Sequence, residues 1–556
     1  QNNSIGLSPM DLTLQVALPE LDGRITTRVG AFKEQRRTSD RLVSALAHYE
    51  ADPERLSWIA QLTGRWIHLR RTPAPQRHVA LVLANYPTRN SRLANGVGLD
   101  TPASAALILQ WLQQAGYILD GPDGYPAQLP KDGQALIEAL LATRTNDAES
   151  DHRPPLGWLS LKSYRSWYDA LPEEGRQQLE AIWGPPERDQ GLEEEGFAIR
   201  GLQVGHVALL IQPERGYDRD PSLSYHSPDL PPTHAYLAQY LWLRQQFGAD
   251  VVVHVGKHGN LEWLPGKGLG LSNNCFPEWA LGPMPHLYPF IVNDPGEGSQ
   301  AKRRSQAVIL DHLTPPLGRA GLHGVLQRLE AQLDEYWEAR QMDSERVPWL
   351  RRQLNEQLAS LDFPTPDGPG DDIDARLDAA DGYLCELKEA QIRLGLHTFG
   401  TLPKPDGLAE LLLCLARSPQ AGLPGLTQAL AQNLSLELDP WADADEAPLS
   451  AADQHRLREL FGSTSLRYVG DGVALLEARC LAICRAALGE KSPTESIQPI
   501  PDELLPSATQ AASATWDRVL NHLHTTLTPR LLACAEAERE ALLKGLSGQR
   551  IAAGPS

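Results

Sequence analysis

Four apolar runs with strand character constrain this chain more than any other feature of its sequence. They are HVALVLANYP (78–87), VGHVALLIQPERGY (204–217), ADVVVHVGKHG (249–259) and HLYPFIVNDPGEG (286–298), and each ends in a polar segment rich in glycine and proline. Helical patterns follow three of them. One begins at Thr101, with Pro102 at the first helical position. One runs through PPTHAYLAQYLWLRQQFG to Gly248, a helix stop, and one begins near Ser299, a candidate N-cap, in SQAKRRSQAVILDHL. Strands alternating with helices predict an α/β fold, a mainly parallel sheet with flanking helices in a Rossmann-like body. Beyond about residue 320 the pattern turns to amphipathic helices, such as GVLQRLEAQLDEYWEARQ. The expected division is a leading segment over 1–75, the α/β body over 76–318 and a mainly helical region over 319–556. Linkers rich in Pro, Gly and acidic residues are expected near 362–374, 438–448 and 491–507.

Composition narrows the class. Of 556 residues, 42% are apolar and 22% charged, which suits a globular protein with sizeable cores. No apolar stretch approaches the ~18–20 residues needed to span a bilayer. The start, QNNSIGLSPM, has neither a signal-peptide pattern nor an initiator Met, and it reads as the beginning of a fragment of a longer chain. A formal net charge of -19 argues against a bulk nucleic-acid binder, whose affinity rests on basic residues meeting phosphate. The six cysteines form no CxxC, which reads as a reduced, cytoplasmic chain. Cys480 and Cys484, four apart on an expected helix, read as small core residues rather than a metal pair.

The residues that carry chemistry gather after the strand runs, where open α/β sheets bind ligands. After the first come Asn85, Tyr86, Arg89, Arg92, Asn95 and Asp100. After the second come Arg215, Tyr217, Asp218 and His226. The third leads to His254, His258, Glu262 and Trp263; the fourth to Asn293, Asp294 and Glu297, then Lys302, Arg303 and Arg304. Eight of the sixteen histidines lie between His206 and His323. The spacing of His254 and His258 is not HExxH, so a zinc-protease helix is excluded. His254 reads equally well as a hydrogen-bonded core histidine or a functional one. His258 with Glu262 reads as functional, because an imidazole beside a carboxylate can hold a metal aquo ion or move a proton.

Nucleotide motifs fail or stay weak. GNLEWLPGK resembles a phosphate-binding loop, but six residues separate Gly259 from Gly266 and Gly268 follows Lys267. The chain is therefore not expected to hydrolyse ATP by that route. GEGSQA (296–301) matches GxGxxA, and its amides at a helix start, with Lys302, Arg303 and Arg304 nearby, read as an anion site.

Long motifs in one order carry a resemblance. LANYPTRNSRLANGVGLDTPAS, IQPERGYDRDPSLSYHSPDLPPTHAYLAQYLWLRQQFGAD, HVGKHGNLEWLPGKGLGLS and YPFIVNDPGEGSQAKRRSQAVILDHLTPPL closely resemble the CobN family, the large subunits of aerobic cobaltochelatase. That family is related to the H subunits of magnesium chelatase. The resemblance spans roughly residues 25–400 and loosens in the helical part. At Lys257 and at DPGEG (294–298) the chain follows the cobalt branch. The resemblance implies insertion of Co2+ into a tetrapyrrole, hydrogenobyrinic acid a,c-diamide, in cobalamin biosynthesis. It also implies ATP hydrolysis, with Mg2+, by an AAA+ motor built from two smaller partner subunits. Under it, His254, His258 and Glu262 act as exchangeable metal ligands and proton acceptors. Tyr86 and Trp263 pack on the macrocycle. Arg89, Arg92, Arg215, Lys302, Arg303 and Arg304, with Asn293, bind its polar periphery, since Arg pairs bidentately with carboxylates. Two alternatives stay open: a magnesium chelatase H-type subunit acting on protoporphyrin IX, and a tetrapyrrole-binding protein without chelation.

Overall fold

All four apolar runs become strands of one sheet. The structure is a computed structural model of the chain. It describes residues 8–39, 44–85, 93–94, 96, 98–120, 129–216, 230–256, 261–316, 325–341, 346–361, 373, 376–377, 380, 383–384, 392, 394–442, 444–462, 466–489 and 510–552. The sheet strands are β1 (Val79–Leu83), β2 (Gly201–Val204), β3 (Val207–Ile211), β4 (Val251–Val255), β5 (His286–Ile291) and β6 (Val308–His312). Their order is β6-β5-β4-β1-β3-β2. Every neighbouring pair is parallel except β2 with β3, which form a hairpin through Gly205 and His206. Gly205 takes φ +56°, which a tight hairpin turn requires.

Strands β1, β3, β4 and β5 are buried along their whole length. That is the pattern of a parallel sheet covered on both faces, and it explains why these runs are almost continuously apolar. On one face Ala80, Val82, Ala208, Leu210 and Val252 share a core with Tyr236, Leu237, Tyr240 and Leu241. Those last four lie on α3 (His234–Trp242), numbered after α1 (Pro53–Arg71) and α2 (Thr101–Gln114). Helix α2 packs against β1 and β4 and buries Ile108, Leu109 and Leu112 completely. Its start is set by Asp100, whose side chain accepts the Ala103 amide at 3.0 Å. Helix α3 continues in a wider turn over Leu243–Phe247 and stops at Gly248, φ +70°.

One expected helix is shorter than the sequence pattern implied. The segment expected to be helical from Ser299 through Leu313 divides in two. Helix α5 (Pro295–Arg304), which follows α4 (Phe276–Leu281), ends at Ser305, and Val308–His312 becomes the edge strand β6. Gln306, at φ +48°, turns the chain between them, and a right-handed helix cannot pass through that conformation.

Two ion pairs tie the leading segment to the body. Arg28 Nε lies 2.9 Å from both carboxylate oxygens of Glu278 on α4, and its Nη1 reaches Glu54 on α1 at 2.6 Å. The same guanidinium sits 4.8 Å from the Trp58 ring centroid. Arg303 holds Glu20 through two contacts of 3.1 Å. By contact, residues 1–312, 329–383 and 538–552 make one compact unit, and residues 313–328, 384–537 and 553–556 a second. The second unit is helical. Leu411, Leu412, Leu430, Leu457, Val473 and Leu476 build its core, together with Cys480 and Cys484. Burial pushes both of those thiols up, Cys484 to about 12, so they behave as apolar core residues.

Replacing Arg28 by Ala should cost about 3–5 kcal/mol of stability, because it leaves the buried Glu278 carboxylate without its guanidinium. Adding Glu278→Leu to Arg28→Met should recover most of that loss in a urea unfolding titration. A double variant as unstable as Arg28→Ala would show that packing, not the uncompensated charge, dominates.

Candidate active site at the carboxyl edge of the sheet

The order of the strands marks the edge where a ligand groove is expected. From β1 the chain moves to β3 on one side, then returns to add β4, β5 and β6 on the other. The direction reverses between β1 and β4, and in sheets of this kind the groove outside the carboxyl ends of those two strands receives ligands. Gly256 leaves β4 at φ +100°, and a Cβ there would lie 2.7 Å from Thr101 Oγ1 and 2.8 Å from Ala84 Cβ. Gly96 is equally confined, since its Cβ would fall 2.4 Å from the same hydroxyl oxygen. The two glycines let the exits of β1 and β4 and the start of α2 converge. Asn85, 2% exposed, closes the first exit by accepting the Ala94 amide at 3.2 Å.

Glu262 lies on a short turn, Leu261–Trp263, just past the end of β4, and is fully buried. Tyr288 of β5 donates its hydroxyl to Glu262 Oε1 at 3.2 Å. Arg304, buried at the end of α5, interacts electrostatically with the same carboxylate. Arg304 Nη2 also donates to the carbonyls of Leu264 and Gly266, the latter at 3.4 Å, so it fixes the backbone that follows Glu262. Burial lowers the Arg304 guanidinium to about 10, against the pull of Cys275 and Glu262, and it stays charged at neutral pH. Cys275 Sγ accepts the amides of Lys267 and Ser272, both at 3.4 Å, and closes the glycine-rich loop from its other end. Trp263 is buried beside Glu262.

His254 sits within β4, 1% exposed, and both ring nitrogens are engaged. Nε2 lies 2.8 Å from the Tyr240 hydroxyl and Nδ1 2.7 Å from His286 Nε2. His286 Nδ1 in turn faces the Ser305 carbonyl at 2.9 Å. The Tyr288 ring lies over both imidazoles, with centroids 5.5 and 5.6 Å away. Burial drives His254 well below the usual imidazole range, and the neighbouring His286 adds to it. His286 falls to about 4 for the same first reason, although its bond to Ser305 works the other way. Both rings are neutral at pH 7. Of the two readings the sequence left open for His254, the hydrogen-bonded core histidine is the one its contacts describe.

The remaining candidates divide. Tyr86, Arg89, Arg92 and His258 lie outside the described residues, as do Asn95, Tyr217, Asp218 and His226. Arg215 is fully buried and donates to the Leu230 carbonyl at 2.9 Å. Asn293 is exposed just past the end of β5. Lys302, Arg303 and Arg304 occupy the last turn of α5, not its start. There they complement the helix dipole, while Asp294 caps the first turn through the Glu297 amide at 3.4 Å. The expected anion site at GEGSQA is thus capped by a carboxylate. Arg303 and Arg304 have protein partners, Glu20 and the loop carbonyls, where a substrate carboxylate was expected. Among the described residues, no group of three or more His, Cys, Asp or Glu side chains is placed to hold a metal ion, and no helix is long and apolar enough to cross a membrane.

Sequence reading alone missed Gln212, Tyr236, Tyr240 and Tyr288 as parts of this region. Tyr236 and Tyr240, four apart on α3, are indistinguishable in sequence from its apolar face. The concentration of histidines between His206 and His323 is the one signal that pointed here.

Comparison with known proteins bears on the family of the chain. A model of the CobN/Magnesium Chelatase family matches residues 1–556. The aerobic cobaltochelatase subunit CobN of Pseudomonas aeruginosa is 45% identical over 566 aligned residues, covering 100% of this chain and 43% of the relative. The magnesium-chelatase H protein of Chlorobaculum parvum is 33% identical over 72% of this chain and 30% of its own length. The catalytic subunit of cobaltochelatase from Mycobacterium tuberculosis superposes with a TM-score of 0.65 at 37% identity, covering 98% of this chain and 43% of that one. The chain thus spans less than half the length of these relatives.

The neutral histidine pair predicts acid sensitivity. Folded His286 binds its proton only near pH 4, whereas an unfolded imidazole does so near 6.5. Below about pH 6.5 the unfolded state therefore takes up more protons, and stability falls with pH by up to about 1.4 kcal/mol per unit for each buried ring. The loss levels off for His286 below its folded value. Urea midpoints at pH 7, 6 and 5 should fall less steeply for His254→Leu/His286→Leu than for the natural chain. Equal slopes would show that these rings do not govern acid stability.

Proposed function

The chain belongs to the CobN/magnesium chelatase family, and from that premise we propose that it is part of the large subunit of an aerobic, ATP-dependent cobaltochelatase. The subunit binds a tetrapyrrole, hydrogenobyrinic acid a,c-diamide, and inserts Co2+ into it during cobalamin biosynthesis in the cytoplasm. The observation that carries this reading is Glu262: a carboxylate taken wholly out of water at the switch point of the sheet, oriented by Tyr288 and backed by Arg304. The cobalt relative is also more similar to the chain than the magnesium one, 45% against 33% identity, which favours cobalt over magnesium.

Metal insertion needs two things from a protein. The aquo ion must exchange water for weak, reversible ligands, and the ring must lose protons as the ion enters. A closed tetrahedral cage would trap the ion instead. A carboxylate and one imidazole, Glu262 and His258, suit both steps, because each can ligate a divalent ion and each can accept a proton. A cation brought to a carboxylate screened from bulk water is held more strongly than in solvent, so one carboxylate with one imidazole suffices for a transient site. His254 leaves the ligand set, since both of its nitrogens are in use. Trp263 and Tyr86 offer apolar surface to the macrocycle. Arg89 and Arg92, which follow β1 in sequence, and Lys302 are its carboxylate partners in this reading. ATP and its Mg2+ belong to two smaller AAA+ partner subunits, in line with the missing phosphate loop.

Glu262→Gln keeps the size of the side chain and removes its charge. In the full-length protein assembled with its motor, this substitution should slow insertion by about 10²–10⁴-fold while tetrapyrrole affinity stays within a few-fold, as loss of a general base does. Purified alone, the chain should turn over no ATP. Weakened tetrapyrrole binding with normal turnover at saturation would instead make this loop a wall of the cavity, and the reading would fail.

A further inference from the structure

The buried polar groups beneath Glu262 share one hydrogen-bond direction. A peptide carbonyl can only accept, so the 2.9 Å contact between the Ser305 oxygen and His286 Nδ1 puts the proton on that nitrogen. A neutral His286 then has a bare Nε2, and the 2.7 Å contact with His254 Nδ1 places a proton on His254 Nδ1. His254 Nε2 is bare in its turn and accepts the Tyr240 hydroxyl at 2.8 Å. The Tyr236 and Tyr240 rings lie beside each other, with centroids 5.3 Å apart. The Tyr240 proton is committed to His254. Tyr236 oxygen finally accepts the Gln212 side-chain amide at 3.1 Å. The longer contact from Tyr240 to Gln212 Oε1, 3.4 Å, is secondary.

The chain thus runs from Tyr240 on α3 to His254 in β4, His286 in β5 and the backbone after α5, with Tyr236 and Gln212 packed beside its start. It begins on a buried phenol and ends on a carbonyl. Neither end exchanges protons readily, so the chain conducts none. All five side chains are buried, at 2% exposure or less. Adding a proton to His286 Nε2 would set two N–H groups face to face, and adding one to His254 Nε2 would force the Tyr240 hydroxyl to turn from donor to acceptor. A metal ion on either ring would displace a hydrogen bond in a region closed to water.

We propose that His254 and His286 are positioning residues, locked as Nδ1–H tautomers by the Ser305 carbonyl, which hold Tyr240 and Tyr288 around Glu262 and neither bind metal nor take up the ring protons. Tyr288 links the two layers, with its ring against both imidazoles and its hydroxyl on Glu262. The catalytic consequence rests on the function proposed above; the tautomers do not.

The test uses 15N-histidine NMR on this chain at pH 7, with His254 and His286 assigned by difference from His254→Leu and His286→Leu. Both rings should show a protonated Nδ1 and a bare Nε2, and neither should shift when Zn2+ is added as a diamagnetic metal probe. A protonated Nε2 on either ring, or a Zn2+-induced shift of either, overturns the proposal. Should a leucine variant misfold, Tyr240→Phe removes only one hydroxyl. It should move the His254 Nε2 signal and leave the His286 tautomer unchanged. In the full-length protein with its motor, Tyr240→Phe should lower kcat about 3- to 10-fold, the worth of one hydrogen bond, with the KM for Co2+ within about twofold. A KM raised tenfold at unchanged kcat would return His254 to the ion site and sink the assignment. Absence of insertion in the unsubstituted assembly would defeat the chelatase reading, and the NMR result would still decide the tautomers.

Discussion

Strand β4 is paired on both edges and buried on both faces, and it carries a histidine in its interior. A polar ring in that position is tolerated only when every hydrogen-bonding atom is matched, because an unmatched one costs about 1–3 kcal/mol. The match needs Tyr240 from the helix above and His286 from the next strand, and His286 needs a carbonyl beyond α5. Four elements are thereby held in one relation to each other. Tyr288, two residues along β5 from His286, inherits that relation and brings it to Glu262. The orientation of the carboxylate at the crevice follows from the need to satisfy an imidazole inside the sheet.

Charge is used in the same economical way throughout the first unit. Arg28, Arg215 and Arg304 are buried, and each donates to a carboxylate or to backbone carbonyls. Arginine suits this task because its planar fork stays charged where a lysine would shed its proton. The arginines that looked most like a ligand-binding cluster in sequence therefore include two that build the framework. Arg303 anchors the leading segment through Glu20, and Arg304 clamps the loop that carries Glu262.

The glycines at the crevice express a second constraint. Gly96 and Gly256 meet Thr101 at distances no side chain permits. Their role is to let two strand exits and a helix start approach closely. The motif around His254 is rich in glycine for this packing reason as well as for turning.

Much of this was legible in the sequence. Continuous Val, Leu and Ile runs ending in Gly and Pro marked the sheet strands, because that signal is local. Glu262 stood out as a carboxylate in a glycine-rich loop beside histidine. The edge strand Val308–His312 did not stand out, because five apolar and polar residues after a helix have no period long enough to tell them from its continuation. Nor could spacing reveal that Arg304 turns inward, or which reading of His254 holds. The sequence by itself determined which residues leave the sheet together. Only the tertiary structure decided which of them bond to one another, since hydrogen-bond partners such as Tyr240 with His254, His254 with His286 and His286 with Ser305 lie up to 32 positions apart and their proton directions depend on a single buried carbonyl.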